Sequence, residues 1–390
     1  MMNAGGLNFM PSTGAMDFRN SSYFSSSLSL TNMQLWREEL RSRIDLIAMT
    51  SEGRRFIEEE LRSRINLAAI SSEGRRFLEK KLEAGDHEIV GIIVEKLKHN
   101  IHALMVHDVA NFVIRKLFEV CTEEQMSELL VELLSSHSKL VYVCTHSLGA
   151  RAVQTLLQNL KIWNQRLTVI FVFSRIVVDL TTNRCSHHII MHFLKHFHSQ
   201  EYKLFIEGLA NNLVDICTNK DGCSMIKKII TYVEVVGDLS SWELLTFAIA
   251  SQALSLAEDE YGNCILQYLV ELRIPDLTTS VVASLLGRFV FLSKNKFGSR
   301  VVEGCLQCTT SPLKEVIMIE IGEPLQFLSL AKNVYGKYVA RTALQVSRGR
   351  INKLLIRCVK SRYTMLKSHI HGSKVLQEIK KLERGRRHVI

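Results

Sequence analysis

Proline is scarce in this chain of 390 residues, where only Pro11, Pro275, Pro312 and Pro324 occur. Proline removes a backbone donor and breaks helix interiors, so its scarcity leaves room for helix along nearly the whole chain. Leucine, isoleucine and valine are interleaved with lysine, arginine and glutamate throughout, a pattern typical of amphipathic helices. The composition therefore predicts an almost wholly helical protein.

Long apolar runs and paired cysteines are also missing. No uncharged run reaches the roughly 18 residues needed to cross a bilayer, and the most apolar stretch, "LTVIFVFSRIVVDL", is interrupted by Arg175. Nine cysteines are scattered singly, an odd number that favours a reducing compartment over a disulfide framework. Cys305 and Cys308 form a Cys-x-x-Cys pair without a second pair, so they are interpreted as core cysteines rather than zinc ligands. No membrane partner is expected.

Signatures of catalysis are absent as well. The sequence has no phosphate-binding loop, no His-Glu-x-x-His and no Gly-x-Ser-x-Gly. His188, His192 and His196 recur every four residues, but no acid or cysteine completes the row as a metal site. We therefore expect a protein that is not an enzyme, with no catalytic residues, metal or cofactor.

The N-terminal segment differs from the rest of the chain. Residues 1–34 are rich in serine, asparagine, glycine and methionine and carry only Asp17 and Arg19 as charges. We expect them to form a disordered tail, followed by one repeat domain at residues 35–390. An organelle transit peptide is the alternative, although arginine is scarce. The expected location is the cytoplasm, with the nucleus or nucleolus as alternatives.

One motif recurs along the chain: a small residue, two variable residues, two apolar residues and a third variable residue. Successive motifs start 36 to 40 residues apart. Units of this length hold two or three short helices, and their stacking buries one continuous core, as in an α-solenoid. The small residue is expected to prevent a collision with the previous unit. The nine motifs start at Gly74, Ala110, Gly149, Ser186, Gly222, Gly262, Gly298, Gly336 and Gly372.

A second repeat has higher sequence similarity but a shorter period. Residues 40–60 and 61–81 are near-copies offset by only 21 residues, which are too few for a helical hairpin. They indicate a local duplication. The helix around Gly53 is expected to serve as the first helix of the first full unit and as an end cap.

The three variable positions of the motif predict a contact surface. The first and third positions are one helical turn apart and should share a face, while the apolar pair points into the core. The second position should lie between successive units. In the first eight motifs these 24 residues include eight basic residues and two glutamates, so they hold six of the ten net positive charges of the chain. Such a basic strip indicates a nucleic-acid partner.

The side chains at these positions suit single-stranded nucleic acid. Planar groups at the second position can stack on unpaired bases: Arg76, Phe112, Arg151, His188, Arg300 and Tyr338. The first and third positions can hydrogen-bond base edges, with Asn263 and Gln267 offering amides and Ser299 and Glu303 a hydroxyl and a carboxylate. The remaining candidates for contact with base edges are Arg75, Asn111, Arg115, Gln154, Cys223, Lys227, Lys337 and Arg341.

The array resembles a Pumilio-homology (PUF) domain. The most similar stretches are "HDVANFVIRKLFEVCTEEQ", "DEYGNCILQYL" and "NKFGSRVVEGCL". The resemblance implies a right-handed all-α superhelix of eight repeats between capping half-repeats, which binds one base of single-stranded RNA per repeat on its concave face. It further implies uracil opposite Asn263/Gln267 and guanine opposite Ser299/Glu303. The implied function is the binding of mRNA 3′ UTR elements with a UGU-like core and the regulation of translation or mRNA stability.

Several motifs depart from the PUF pattern, as in divergent Pumilio homologues of plants. The eighth has Lys337 and Arg341 instead of an Asn/Gln pair, the fifth has Lys227 instead of Gln, and the second has Arg115. These basic side chains are expected to contact phosphates, and Arg75 is expected to pair with Glu79. We therefore expect relaxed specificity.

Two alternatives remain open at this point. One is an armadillo- or HEAT-like solenoid that binds proteins. The other is a PUF-like scaffold that binds proteins or structured RNA without base recognition. The chain is expected to be a monomer and to bind regulatory proteins, if any, on its convex face.

Overall fold

The computed structural model describes residues 65–387, with side chains through Arg384. The predicted tail at 1–34, the domain boundary at residue 35, the helix around Gly53 and the first near-copy at 40–60 lie outside these residues. Between residues 65 and 387 the chain forms helices and turns and no strand. The all-α prediction is confirmed for this part of the chain.

Three kinds of helix alternate along the described residues. The motif helices carry the repeated motif: Ser72–Glu83, Ala110–Val120, Ser147–Asn159, His187–His196, Lys220–Val235, Gly262–Glu271, Gly298–Cys308, Gly336–Val346 and Gly372–Arg387. A short helix precedes each of the last eight: Ile101–Val106, His137–Thr145, Val177–Thr181, Leu213–Cys217, Ala253–Ala257, Phe289–Ser293, Pro324–Lys332 and Tyr363–Ser368. Residues 65–69 are helical ahead of the first.

The third kind, the flanking helices, follows the motif helices. These are His87–Leu97, Glu123–Leu134, Trp163–Arg175, Ser199–Asn211, Leu239–Ser251, Pro275–Leu285, Ser311–Ile321 and Gly349–Ser361, with one 3-10 turn at Lys98–Asn100. Motif helices of adjoining units pack closely on one another except between His187–His196 and Lys220–Val235. Flanking helices pack on flanking helices except between Ser311–Ile321 and Gly349–Ser361. The described residues thus form two rows of helices, as in a solenoid. The count of eight repeats stays a prediction.

Several motif helices begin at an asparagine or aspartate cap that the motif itself does not include. The Asn295 side chain accepts hydrogen bonds from the backbone N–H groups of Phe297 at 2.8 Å and Gly298 at 2.9 Å. Asp259 accepts from Tyr261 at 2.8 Å and Gly262 at 2.7 Å in the same way. Such side chains satisfy the free donors of the first helical turn, so the residue three positions before the glycine sets the start of the helix.

The glycine of the motif allows a close crossing of two helices. A Cβ atom at Gly298 would lie 2.9 Å from the carbonyl oxygen of Leu292, six residues earlier. At Gly149 the corresponding distance to the carbonyl of Val143 is 2.1 Å. Both carbonyls belong to the short helix just before the motif helix, so the predicted collision with the previous unit is wrong. The small residue instead allows close packing within the unit.

The apolar pairs of the motif form the core. Ile265, Leu266, Val301 and Val302 are fully buried, and the other pairs are buried too except for the half-buried Phe77. Each fully buried side chain of this size contributes about 1.5–3 kcal/mol to folding. These pairs hold the motif helices in one orientation, and that orientation fixes where the variable residues lie.

Candidate nucleic-acid interface

The three variable positions differ in exposure along the row of motif helices. The second positions are exposed in Arg76, Phe112, Arg151, His188, Ser224, Arg300 and Tyr338, and half-buried in Cys264. The third positions are all half-buried: Glu79, Arg115, Gln154, Met191, Lys227, Gln267, Glu303 and Arg341. The first positions are buried in Asn111, Ala150, His187, Cys223, Asn263, Ser299 and Lys337, and half-buried in Arg75.

This gradient corrects one sequence prediction. The first and third positions do not share an exposed face, because most first-position side chains are buried and bond to backbone carbonyls. Asn111 shows this most directly: its Nδ2 donates to the carbonyl oxygen of Leu148 in the next unit at 3.0 Å and to that of Met105. Cys223 likewise lies 3.4 Å from the carbonyl of Tyr261. The surface is formed by the second and third positions.

In the sixth motif, Asn263 and Gln267 bond to each other. Gln267 Nε2 donates to Asn263 Oδ1 at 2.8 Å, while Asn263 Nδ2 donates to the carbonyls of Asp259 at 2.7 Å and Glu260 at 2.8 Å. Asn263 is fully buried. Its donors are therefore used within the helix start, and the half-buried Gln267 is the partner that can face a base.

In the seventh motif, Glu303 is the accessible group. Ser299 is buried and its hydroxyl lies 3.4 Å from the carbonyl of Lys296. Glu303 Oε2 accepts a hydrogen bond from Thr342 Oγ1 of the next motif helix at 3.2 Å. Burial raises the pKa of Glu303 above its ordinary value, against the Thr342 hydrogen bond and the nearby Arg341, which lower it. The second carboxylate oxygen is left for another donor.

In the eighth motif, the two basic residues are not free. Arg341 donates through Nε at 3.2 Å and Nη2 at 3.1 Å to Glu378 Oε2, and Gln345 donates to the other oxygen at 2.9 Å. Lys337 is only 5% exposed, and its Nζ lies 3.4 Å from His371 Nδ1. Their predicted phosphate contacts are not supported by this geometry. Tyr338 keeps an exposed ring.

At the first motif, Arg75 contacts both the Glu79 carboxylate and the Phe112 ring. Its Nε donates to Glu79 at 3.0 Å, as the sequence predicted. Its guanidinium also lies over the Phe112 ring of the next motif helix, 3.7 Å from the centroid. The predicted base-edge residue Arg75 therefore covers one face of the predicted stacking residue Phe112, whose side chain is 40% exposed.

In the second to fifth motifs, the variable residues make different contacts from one motif to the next. Arg115 Nε donates to Thr155 Oγ1 at 3.1 Å, and Lys227 Nζ lies 5.8 Å from the Tyr268 ring centroid. Gln154 is half-buried and the predicted stacking residues Arg151 and His188 are exposed. These motifs therefore keep accessible groups at the second position, as predicted, without an amide pair.

Two of the three histidines in the row contact each other. His192 and His196 stack with ring centroids 3.8 Å apart, and His192 Nε2 lies 2.9 Å from Gln158 Nε2. Burial, aided by the charge of His196, lowers the pKa of His192 to about 4. Among the described residues no cluster of three His, Cys, Asp or Glu side chains has metal-site geometry, and no helix is long and apolar enough to cross a membrane.

Cys305 of the Cys-x-x-Cys pair is buried, and burial raises the pKa of its thiol to about 12.

The predicted basic strip is thus only partly available. Arg75 and Arg341 each bond to a glutamate, and Lys337 is buried. The basic second-position residues that remain exposed are Arg76, Arg151 and Arg300. Positive charge and planar shape therefore coincide at one position of the motif, which suits a chain of stacked bases joined by phosphates.

The comparison with known sequences decides the family. A family model described as the NOP9-like PUF repeat domain matches residues 48–338, well over half of the chain. The chain belongs to the PUF repeat family. This PUF chain is 30% identical to Pumilio homolog 11 of Arabidopsis thaliana over 286 residues, which cover 73% of the chain and 50% of that protein. It is 28% identical over 294 residues to Pumilio homolog 12 of the same plant, and the alignment covers 75% of this chain and 49% of that protein. It spans about half the length of these curated relatives.

Solved structures agree with this assignment. The Puf4 RNA-binding domain bound to the HO endonuclease RNA 3′ UTR recognition sequence is 25% identical, with a TM-score of 0.56 and coverage of 80% of this PUF chain and 97% of that one. The RNA-binding domain of yeast Puf5p bound to AAT2 RNA shares the fold, with a TM-score of 0.61 at 20% identity. The match covers 81% of this chain and 96% of that one. The predicted PUF solenoid is confirmed.

Proposed function

We propose that this PUF chain binds single-stranded RNA along its motif helices. The observation that carries the proposal is the set of exposed planar side chains at the second positions, which lie on three successive motif helices (Phe112, Arg151, His188) and on two later successive ones (Arg300, Tyr338). Base stacking on such groups stabilises a complex by about 1–3 kcal/mol per base. RNA-bound relatives such as Puf4 support the same function.

The proposed target is an mRNA 3′ UTR element with a UGU-like core. Glu303 presents a carboxylate that can accept from the N–H edge of guanine, and Gln267 presents an amide that suits uracil. The function would be to regulate translation or mRNA stability in the cytoplasm as a monomer without enzymatic activity, and regulatory proteins would bind the opposite face. Base recognition is expected to be strict at these two motifs and loose elsewhere.

In vitro selection from a random RNA pool tests the proposal. The chain should enrich a short motif with guanine at one fixed position next to uracil. The double variant Ser299→Asn/Glu303→Gln should enrich uracil at that guanine position and leave the rest of the motif unchanged. An identical motif from both proteins would show that the seventh motif does not recognise a base.

A second candidate function has its own observation. Arg75 with Glu79 and Arg341 with Glu378 form ion pairs at both ends of the array, so these end motifs offer few free groups to a base. This favours a scaffold that binds RNA without base recognition. In the selection experiment such a scaffold would retain RNA without enriching any motif.

A further inference from the structure

One residue outside the three variable positions contacts the neighbouring motif helix repeatedly. It is the residue directly after the third variable position, named here the supporting position. At four steps between described motif helices it contacts the third variable residue of the preceding helix. These contacts are Thr155 with Arg115 at 3.1 Å, Tyr268 (ring centroid) with Lys227 at 5.8 Å, Thr342 with Glu303 at 3.2 Å and Glu378 with Arg341 at 3.1 Å.

The hydrogen-bonding or charged group of each supporting residue is complementary to the charge of the third variable residue that it contacts. The Thr155 hydroxyl donates to its own helix at the Arg151 carbonyl, 3.2 Å away, so its oxygen lone pair is available to accept from Arg115. The Thr342 hydroxyl instead donates to the Glu303 carboxylate. The same residue type thus works as acceptor for a cation and as donor for an anion. Arg341 meets the carboxylate of Glu378.

At two of the four remaining steps, the third variable residue is bonded within its own helix instead. At the step from the sixth to the seventh motif the supporting position is Gly304, and Gln267 turns back to bond to Asn263 on its own helix. At the first step Lys116 occupies the position, and it pairs with Glu119 at 3.3 Å and with Glu83 of the preceding motif helix at 3.9 Å rather than with Glu79. There the third residue, Glu79, bonds to Arg75 of its own helix instead. At these six steps the third variable residue is therefore held by the next motif helix where the supporting residue contacts it, and by its own helix where the supporting residue does not.

We propose that the supporting position is a fourth determinant of base specificity, with Thr342 as the positioning residue for Glu303. The Thr342 hydroxyl holds Oε2 and so aims Oε1 at the base. Thr342 is only 4% exposed and acts through Glu303 rather than by touching RNA. This inference rests on the proposed function, since it concerns how the seventh motif recognises its base.

The experiment compares Thr342→Val, which keeps the shape and removes the hydroxyl, with Thr342→Ser, which keeps the hydroxyl. Competition binding uses the RNA selected by the wild-type chain and its variants with adenine, cytosine or uracil in place of the guanine. Thr342→Val should reduce the preference for guanine about tenfold, the effect of one charge-assisted hydrogen bond. Thr342→Ser should restore the preference, and preferences at other positions should not change.

A matched control separates specificity from folding. Thr309 is also buried, but its hydroxyl donates to the Cys305 carbonyl at 2.6 Å and contacts no variable residue. Thr309→Val should therefore leave every base preference unchanged. If Thr342→Val weakens binding equally for all four bases, Thr342 is only structural and the inference is wrong.

A readout without RNA distinguishes the two proposals. Carbon NMR of Glu303 in the free chain should show a higher pKa in Thr342→Val than in the wild type, because the lost hydrogen bond favours the charged form. If the pKa of Glu303 rises in Thr342→Val but the preference for guanine does not change, the inference about the supporting position is wrong, while the proposed RNA binding is unaffected. If the wild-type chain has no guanine preference at all, the proposed function fails first, and the inference fails with it.

Discussion

Burial separates the roles of individual residues in each motif. Within one helix, Asn263 is fully inaccessible and bonded to backbone, whereas Cys264 and Gln267 are both half-buried. Polar side chains that are buried must find partners inside the protein. Asn263 therefore holds Gln267, and under the proposed function the second and third positions are the ones that present groups to RNA.

Glu303 gives a residue-scale prediction on pH. Its pKa is raised in the folded chain, so the folded state binds the proton more tightly than the unfolded state, and ionisation of Glu303 costs stability. This cost is absent below the ordinary glutamate pKa and grows as pH rises through the raised value. Glu303→Gln should therefore be more stable than the wild type at pH 7, and the difference should vanish at low pH. Thermal unfolding from pH 4 to 8 measures it, and a difference that is constant with pH would contradict this account.

At the scale of the element, a motif helix is defined by its first turn. An asparagine or aspartate cap, a glycine beneath the short helix and a buried apolar pair follow one another within a few residues, as in Asn295, Gly298 and Val301–Val302. Each feature fixes a different property: where the helix starts, how closely it crosses the short helix, and which face is buried.

Two glycines in the helix Gly298–Cys308 should respond oppositely to alanine. At Gly298 the new Cβ would lie 2.9 Å from the Leu292 carbonyl, so Gly298→Ala should destabilise the fold by about 1–3 kcal/mol. At Gly304 it would meet nothing within 4 Å, so Gly304→Ala should stabilise the fold by about 0.5–1 kcal/mol through helix propensity. Urea unfolding of both variants measures the two changes. Effects of the same sign would show that the crossing at Gly298 is not tight.

At the scale of the whole described unit, contacts follow the period of the sequence. The hydrogen bonds Asn111–Leu148, Arg341–Glu378 and Thr342–Glu303 join residues 37, 37 and 39 positions apart. Neighbours in space are thus neighbours in the repeat, which is why the period alone predicted the solenoid and the buried apolar pairs.

What the sequence could not show depends on the geometry between helices. Lys337 is buried beside His371, which lies just before the next motif helix, and a motif within one helix does not contain that neighbour. The Arg341–Glu378 pair could have been found by comparing each variable residue with those one period later. The motif of one helix alone predicts a phosphate contact for Arg341.

Salt dependence gives the prediction for the whole array. The logarithm of RNA affinity should fall with the logarithm of salt concentration by about 0.7 per neutralised phosphate. Arg300→Gln should make this slope shallower by about 0.7, because Arg300 is exposed. The double variant Arg341→Gln/Glu378→Gln removes a pair that is already neutral and should leave the slope unchanged. Equal slopes for the wild type and Arg300→Gln would exclude Arg300 from the RNA path.

The Arg75 guanidinium over the Phe112 ring changes how binding at that end is to be understood. A flat cationic group 3.7 Å above an aromatic ring covers the face on which the proposed function would place a nucleobase. Under that proposal, Arg75 acts in the free chain as an internal substitute for a stacked base. RNA binding there would exchange one planar partner for another, so the gain in free energy would be the difference between two stacking interactions.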